Sequence, residues 1–181
     1  MTRYTAGTEV EYTITYLEMT ARPTYERPSL PLGPPSVLVA ADKPPLWYFL
    51  DLYRAVGQHL EWVDLLNVDP DELETHIHSP KVQINTLIRT GWPAGFFMLE
   101  DKGDACDLAY FGLVPEAIGL GLGAYLLKTA IHAGWDREPR RMTVQTCTLD
   151  HPRALGLYQK AGFAPVGQET KTRVLTRARS M

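Results

Sequence analysis

One stretch decides the fold of this chain: Phe111-Gly112-Leu113-Val114-Pro115-Glu116-Ala117-Ile118-Gly119-Leu120-Gly121-Leu122-Gly123-Ala124-Tyr125-Leu126-Leu127. An apolar, strand-like segment passes through alternating glycines directly into a helix-like pattern, which predicts a strand, a tight turn and a helix N-terminus. Glycines let the backbone approach a ligand closely, and the first amides of a helix have no partner within it. The helix dipole adds about half a positive charge there. The stretch therefore predicts a site for a phosphate-bearing ligand.

The spacing discriminates between known phosphate-binding loops. A nucleoside-triphosphate loop requires Lys and then Ser or Thr after its last glycine, whereas Ala124-Tyr125 follows here. Residues 119–124 fit the loose dinucleotide pattern G-x-G-x-x-A, which also requires an acidic residue about 20 positions further on. Asp136 comes too early for that role and Asp150 too late. A dinucleotide-binding oxidoreductase therefore stays a minor alternative.

Two spaced motifs carry a family resemblance. Val114-Pro115-Glu116 followed by Gly119-x-Gly121-x-Gly123 resembles the acetyl-coenzyme A loop of the GNAT superfamily of acyltransferases, whose pattern is Gln/Arg-x-x-Gly-x-Gly/Ala. The second motif, His151-Pro152-Arg153-Ala154-Leu155-Gly156-Leu157-Tyr158-Gln159-Lys160-Ala161-Gly162-Phe163, is similar to the family's Asn-x-x-Ala-x-x-x-Tyr-x-x-x-Gly-Phe. The order and separation of the two motifs match the family. The resemblance is firm over residues 81–168 and looser upstream.

The resemblance implies an α+β (α/β) fold of the GNAT type, with a central, mostly antiparallel mixed sheet flanked by helices. We expect a single acetyltransferase domain at residues 36–178, preceded by an N-terminal extension at residues 1–35. Within the extension, residues 13–19 have the β-rich pattern of an extra strand, which we expect at a sheet edge. Residues 23–35 hold five of the 14 prolines and predict an extended connector.

Periodicity predicts the elements of the domain itself. Residues 46–66 are apolar nearly all round, which indicates a buried helix with a break near Gly57. Residues 82–99 alternate about a turn and predict an antiparallel hairpin. Lys128, His132 and Asp136 follow at spacing four on the next helix, and we expect this stripe to face solvent. Residues 163–175 are expected to close the domain as a final hairpin.

The resemblance also implies a reaction, namely transfer of an acetyl group from acetyl-CoA to a primary amine within a ternary complex. The expected cofactor-binding residues are Leu113, Val114, Gly119, Leu120, Gly121, Leu122, Gly123, Ala124 and His151. In this family the strand before the loop holds the pantetheine arm, so the Leu113 amide is the candidate oxyanion donor. Two positions depart from the family pattern. Ile118 replaces the usual Gln or Arg, and His151 replaces the usual Asn.

Two residues are the candidates for proton transfer. Tyr158 matches the family tyrosine near the sulfur, and its phenol can donate a proton to the departing thiolate. Asp107 lies four residues before Phe111, where histone-type members of the superfamily carry a glutamate base. A chain of water molecules is the alternative to Asp107. Four further residues could assist, and the sequence does not rank them: His59, Glu61, Gln145 and His151.

Composition limits the remaining possibilities. The 181 residues are 45% hydrophobic with a net charge of −3 and no basic patch, which argues against nucleic acid as a partner. No run approaches the roughly 18 apolar residues of a membrane span. The two cysteines fall inside predicted strands, as in a cytoplasmic protein with reduced thiols. His76 and His78 lack the spacing of metal ligands, so no metal is expected.

The partner indicated by this interpretation is a small-molecule or peptide amine, and a homodimer is possible. One non-enzymatic alternative remains open. Because Ile118 and His151 differ from the family pattern, the domain could bind acyl-CoA as a regulatory or structural module without turning it over.

Overall fold

The computed structural model describes residues 3–180. Its strands are β1 (Arg3–Tyr4), β2 (Glu9–Met19), β3 (Ser36–Ala41), β4 (Val82–Arg89), β5 (Trp92–Asp101), β6 (Ala105–Leu113), β7 (Arg141–Cys147), β8 (Ala164–Val174) and β9 (Arg179–Ser180). Its α-helices are α1 (Leu46–Gly57), α2 (Pro70–Ile77), α3 (Leu122–Trp135) and α4 (Ala154–Lys160). Short 3₁₀ segments lie at Gln58–Leu60, Asp64–Asn67 and Pro115–Ala117.

A seven-stranded sheet forms the centre of the molecule, in the order β3-β4-β5-β6-β7-β2-β8. The neighbours β6 and β7 are parallel, and every other neighbouring pair in this sheet is antiparallel. Helices α1 and α3 pack on β5 and β6, and the main core contains their buried apolar side chains. The expectation of a mostly antiparallel mixed sheet flanked by helices is therefore confirmed.

The N-terminal strand β2 lies inside this sheet and not at its edge, so the expected edge position was wrong. Along its length β2 pairs with β8 on one side and over its second half with β7 on the other, and Leu17 is 1% exposed. The expected C-terminal hairpin is also absent from the described residues, because β8 is one continuous strand that pairs with β2. A strand pattern predicts which faces are buried, but it does not identify the neighbouring strands.

The proline-rich connector packs against α3. Arg22 and Arg27 both pair with Asp136 at the end of that helix. The Tyr25 ring meets the His132 ring edge-on at a centroid distance of 5.6 Å, and its hydroxyl donates to the Ala161 carbonyl over 3.0 Å. His132 is only 5% exposed, so the expectation that it faces solvent was wrong, whereas Asp136 on the same stripe is exposed as expected.

The predicted break at Gly57 is confirmed, and it positions an aromatic side chain. Helix α1 ends at Gly57, whose carbonyl accepts a 3.1 Å hydrogen bond from the Trp62 amide. The Trp62 side chain lies so close that a Cβ atom at Gly57 would come within 2.3 Å of it. Only glycine lets the chain fold back this tightly against the helix.

Strands β6 and β7 pair over a short length and then separate. Within residues 3–180 their parallel register covers three positions, of which Asp107↔Thr143 is the last. Beyond it, β6 keeps its partner β5 and β7 keeps its partner β2. The sheet is therefore open between β6 and β7, directly before the glycine-rich loop.

Candidate active site

A cavity of about 800 Å³ occupies the gap between β6 and β7, and we call it the central cavity. One side is lined by residues 108–113 of β6 and by the glycine-rich loop with the start of α3. Positions on β7, on α4 and on the loop between them line the other side. Residues after α1 and residues of β2 and β8 complete the wall. The cavity thus connects the glycine-rich loop to the interior of the sheet.

The glycine-rich loop has the backbone of an anion site. Gly119 and Gly121 have φ values of +87° and +75°, and a Cβ atom at either residue would meet nothing within 4 Å. Helix α3 begins immediately afterwards, with no side-chain cap and no acidic residue in its first turn. The first amides of α3 are therefore left to a ligand, and the helix dipole favours an anion there. This open cradle fits a pyrophosphate group.

The end of β6 presents a free amide to the cavity. The Val114 amide bonds to the Ala94 carbonyl on β5 over 3.0 Å, so Val114 and Ala94 form a hydrogen-bonded antiparallel pair. Such pairs alternate with non-hydrogen-bonded pairs along a ladder, and the neighbouring pair is Gly95↔Leu113. The N–H of Leu113 consequently points away from β5 and into the gap towards β7. Leu113 lines the central cavity, whereas Val114 holds the strand in place behind it.

Tyr158 projects from α4 into the central cavity. Its side chain is 6% exposed and packs edge-on against Phe111 and Phe163, each at a centroid distance of 6.1 Å. Burial raises the pKa of its phenol, and the negative charge of Asp150 raises it further. The phenol is therefore protonated at neutral pH and is available as a proton donor.

Asp107 does not line the cavity, which begins one residue further along β6. Its carboxylate accepts a 2.5 Å hydrogen bond from the Thr143 hydroxyl across the last paired position of β6 and β7. Burial raises the pKa of this carboxyl, and the Thr143 hydrogen bond opposes the shift. The structure therefore places Asp107 behind the closed end of the gap.

Three carboxylates do line the cavity, namely those of Glu61, Asp64 and Asp150. Glu61 is 2% exposed, and its Oε2 accepts hydrogen bonds from the Thr176 amide at 3.0 Å and from the Thr176 hydroxyl at 2.8 Å. Asp64 pairs with Arg173, which also donates to the Glu61 carbonyl over 2.6 Å. Asp150 lies in the loop between β7 and α4 and is held by hydrogen bonds of its own. Lys171 and Arg173 line the cavity as well, so this part of its wall carries charges of both signs.

Aromatic rings form the neighbouring part of the wall. Trp62 packs against Tyr53 at 5.5 Å and against Tyr110 at 5.3 Å between ring centroids. Burial raises the pKa of Tyr53 to about 12 and also raises the pKa of Tyr110. Both phenols are therefore neutral at physiological pH. These three residues, which we call the aromatic wall, offer an apolar surface beside the carboxylates.

Most of the site residues that the sequence predicts line the central cavity. Seven of the nine expected cofactor residues line it together with Tyr158, namely Leu113, Gly119, Gly121, Leu122, Gly123, Ala124 and His151. Leu120 is 47% exposed and lies outside the lining, as do Val114 and Asp107. Sequence reasoning missed Asp150 as a site residue, although it directly precedes the second motif. It also missed Arg173, which only the pairing of β8 with β2 brings to the site.

Within residues 3–180, no group of three or more His, Cys, Asp or Glu side chains could hold a metal ion. His76 instead bonds to Glu100 over 2.9 Å, and His78 bonds to the Pro44 carbonyl over 2.9 Å. None of the helices described combines the length and apolarity that a bilayer crossing requires.

Comparisons with known proteins agree with this geometry. Residues 47–163 match the family model described as the Acetyltransferase (GNAT) family. A curated relative from Bacillus subtilis, named as a candidate ribosomal protein bS18-alanine N-acetyltransferase, is 26% identical over 91 residues. That alignment covers 50% of this chain and 60% of the relative, so the chain spans less than two thirds of its length.

Solved structures show the same fold. A tandem GNAT protein from the clavulanic acid biosynthesis pathway has a TM-score of 0.66 at 16% identity, covering 89% of this chain and 53% of that one. The ribosomal-protein-S18-alanine N-acetyltransferase from Escherichia coli has a TM-score of 0.58 at 15% identity, covering 73% of this chain and 79% of that one. At these identities the likeness concerns the fold alone.

Proposed function

The chain belongs to the GNAT family of acetyltransferases, and we propose that it moves an acetyl group from acetyl-CoA to a primary amine by direct transfer in a ternary complex. One observation carries this proposal. The gap between β6 and β7 joins the glycine-rich loop to the cavity that contains Tyr158. A ligand with a pyrophosphate and a long arm can therefore bind the loop at one end and present its thioester inside the sheet.

Backbone groups would hold the donor substrate. The cradle at Gly119 and Gly121 and the first turn of α3 supply unpaired amides for the pyrophosphate. Each hydrogen bond from a backbone amide N–H to a charged oxygen contributes about 1.5–3 kcal/mol. The Leu113 N–H faces the gap and is the proposed donor to the thioester oxygen. A preorganised donor of this kind contributes about 2.7–4 kcal/mol to transition-state stabilisation.

Tyr158 is the proposed general acid. The amine nitrogen forms a bond to the acetyl carbonyl carbon, and the bond between that carbon and sulfur breaks. The departing sulfur takes the phenol proton of Tyr158, and the phenolate recovers a proton from the amine nitrogen. A positioned acid typically contributes a factor of about 10²–10⁴ to the rate. The burial of Tyr158 beside Phe111 supports this role, because it fixes the ring at the cavity wall.

The proposed acceptor is a small-molecule or peptide amine. The relatives from Bacillus subtilis and Escherichia coli are named for acetylating the alanine of a ribosomal protein, which makes a peptide N-terminus one member of the class. The cytoplasmic location and the homodimer also stay predictions.

Calorimetric titration with acetyl-CoA, free CoA and NAD is the decisive test. We expect acetyl-CoA and CoA to bind and NAD not to bind. Release of free thiol in the presence of primary amines then separates the enzyme from a non-catalytic acyl-CoA-binding module. Binding of NAD alone would overturn the proposal in favour of a dinucleotide-binding protein. Binding of acetyl-CoA with no thiol release for any amine would favour the non-catalytic module.

A further inference from the structure

Asp150 lies in the loop between β7 and α4, and its carboxylate is held by three hydrogen bonds. Its Oδ2 accepts hydrogen bonds from the Thr146 hydroxyl at 2.8 Å and from the Cys147 amide at 2.9 Å. Its Oδ1 accepts a 3.2 Å hydrogen bond from the indole N–H of Trp62. The carboxylate is therefore fixed between strand β7 and the aromatic wall, and it lines the central cavity.

All three donors to Asp150 are neutral. Among residues 3–180, no Lys, Arg or His nitrogen lies within 4.0 Å of its carboxylate, whereas the nearby Asp64 has Arg173 as a partner. A partly buried carboxylate without a cation is costly unless another group compensates its charge. A cationic ligand in the cavity would supply that compensation.

Glu61 also lines the cavity and has no ion-pair partner within the described part of the chain, but its geometry suits another role. Its Oε2 receives both hydrogen bonds from Thr176, and its side chain is almost completely enclosed. Glu61 therefore fastens the segment after β8 to the turn after α1. Asp150 instead lies in the loop that leads into α4, the helix that carries Tyr158, and both side chains line the central cavity.

The surroundings of Asp150 fit an amine in its ammonium form. The Trp62 ring packs with Tyr53 and Tyr110, so the carboxylate stands at the end of the aromatic wall. Aromatic rings attract cations and cover hydrocarbon chains. An alkyl or arylalkyl ammonium would place its charge at Asp150 and its apolar body along the rings.

We propose that Asp150 binds the acceptor amine as an ammonium ion and removes its proton. The inference rests on the proposed function. Asp150 takes one proton from the ammonium and passes it to solvent, which frees the nitrogen lone pair for attack on the acetyl carbonyl carbon. The carbon–sulfur bond then breaks, the sulfur takes the Tyr158 proton, and the second proton of the nitrogen returns to Tyr158. One acetyl-CoA and one ammonium thus give one amide, one CoA thiol and one proton.

The test measures kcat and KM for three acceptor probes, namely 2-phenylethylamine, spermidine and a peptide that begins with alanine. We expect Asp150→Asn to lower kcat at least about a hundredfold, the low end of general-base effects, and to leave the acetyl-CoA Kd within about threefold. Trp62→Phe removes one hydrogen bond from an intact carboxylate, and we expect it mainly to raise KM. Asp104→Asn makes the same chemical change in the exposed β5–β6 turn and serves as the unaffected control.

Three results would overturn the inference. The first is a kcat of Asp150→Asn within about threefold of the wild type. The second is an equal loss of kcat in Trp62→Phe, which would reduce Asp150 to a support for the indole. The third is loss of acetyl-CoA binding in a folded Asp150→Asn protein. If that variant does not fold, Asp150→Ser takes its place under the same criteria. A wild-type protein that acetylates none of the probes would instead contradict the proposed function, and this inference would fall with it.

Discussion

The hydroxyl of Thr143 donates a 2.5 Å hydrogen bond to the carboxylate of Asp107 at the last paired position of β6 and β7. This contact closes one end of the gap in which the central cavity lies. It joins the two strands at the point where their backbone ladder ends, and the cavity lining begins at the next residue, Leu108. The carboxylate therefore belongs to the frame of the gap.

The activity of Asp107→Asn tests this position. An amide oxygen can still accept the Thr143 hydrogen bond, so we expect turnover with primary amines to stay within about threefold of the wild type. Steady-state kinetics of thiol release measures it. A tenfold or larger loss in a protein that is still folded would support the sequence-based prediction that Asp107 is the catalytic base.

Asp107→Asn should also change how the stability of the protein depends on pH. Burial raises the pKa of Asp107 and Glu100 raises it further, while Thr143 and Lys102 oppose the shift. The Asp107 carboxyl therefore keeps its proton to a higher pH in the folded protein than in the unfolded chain, where the pKa of an aspartate is about 3.9. The folded protein loses stability as the pH rises from the pKa of Asp107 in the unfolded chain through its raised pKa in the folded protein. Denaturant unfolding at pH 4 and pH 7 should show Asp107→Asn gaining stability relative to the wild type at pH 7; no relative change would contradict it.

Tyr158→Phe tests the proposed general acid. Removal of one hydroxyl leaves the packing against Phe111 and Phe163 intact, so the fold and acetyl-CoA affinity should persist. We expect kcat to fall at least about tenfold, below the usual range of general-acid effects. Tyr48→Phe is the matched control, because Tyr48 bonds to Thr86 outside the cavity. Unchanged turnover in Tyr158→Phe would contradict the proposal that Tyr158 is the general acid.

Ile118→Arg tests whether the loop binds a pyrophosphate. Ile118 is 43% exposed, lines the cavity and stands where the resembled family has Gln or Arg. We expect the new cation to tighten acetyl-CoA binding about three- to tenfold at low salt, with a smaller gain at high salt because exposed charges are screened. Val37→Arg is the control, since Val37 is similarly exposed at 49% but lies on β3 at the far edge of the sheet, outside the cavity lining. Equal tightening by both variants would indicate a general charge effect.

The sequence predicts local structure and the motif-bearing side of the site well. The strand, glycine turn and helix around residues 111–127 follow from local backbone chemistry, and the structure has them where the pattern indicates. The sequence also predicts the hairpin of β4 and β5 and the break at Gly57 from local patterns. Each of these features depends on residues that are close together in the chain.

The features that the sequence did not predict depend on distant contacts. His132 is covered because the Tyr25 ring packs on it, while Arg22 and Arg27 pair with Asp136 at the end of α3. The periodicity of the helix carries no information about these partners. Asp150 enters the site through a hydrogen bond to Trp62, which lies 88 residues away in the chain. Pairings of this kind are set by topology, which a single strand or helix pattern does not encode.

The position of β2 predicts that the N-terminal extension is required for folding. A chain that begins at residue 36 lacks the strand between β7 and β8 and loses the buried side chains of Leu17 and Met19. It also exposes two sheet edges, which favour aggregation. We expect this shortened chain to show no cooperative thermal transition by circular dichroism.

The control for this truncation is a chain that begins at residue 9 and keeps all of β2. It loses β1, which within residues 3–180 pairs with β9 at two positions, so we expect it to unfold cooperatively and to bind acetyl-CoA. Cooperative unfolding of the chain that begins at residue 36 would support the division into an extension at residues 1–35 and an independent domain at residues 36–178. If the chain that begins at residue 36 does not unfold cooperatively and the chain that begins at residue 9 does, β2 is an integral strand of the acetyltransferase sheet.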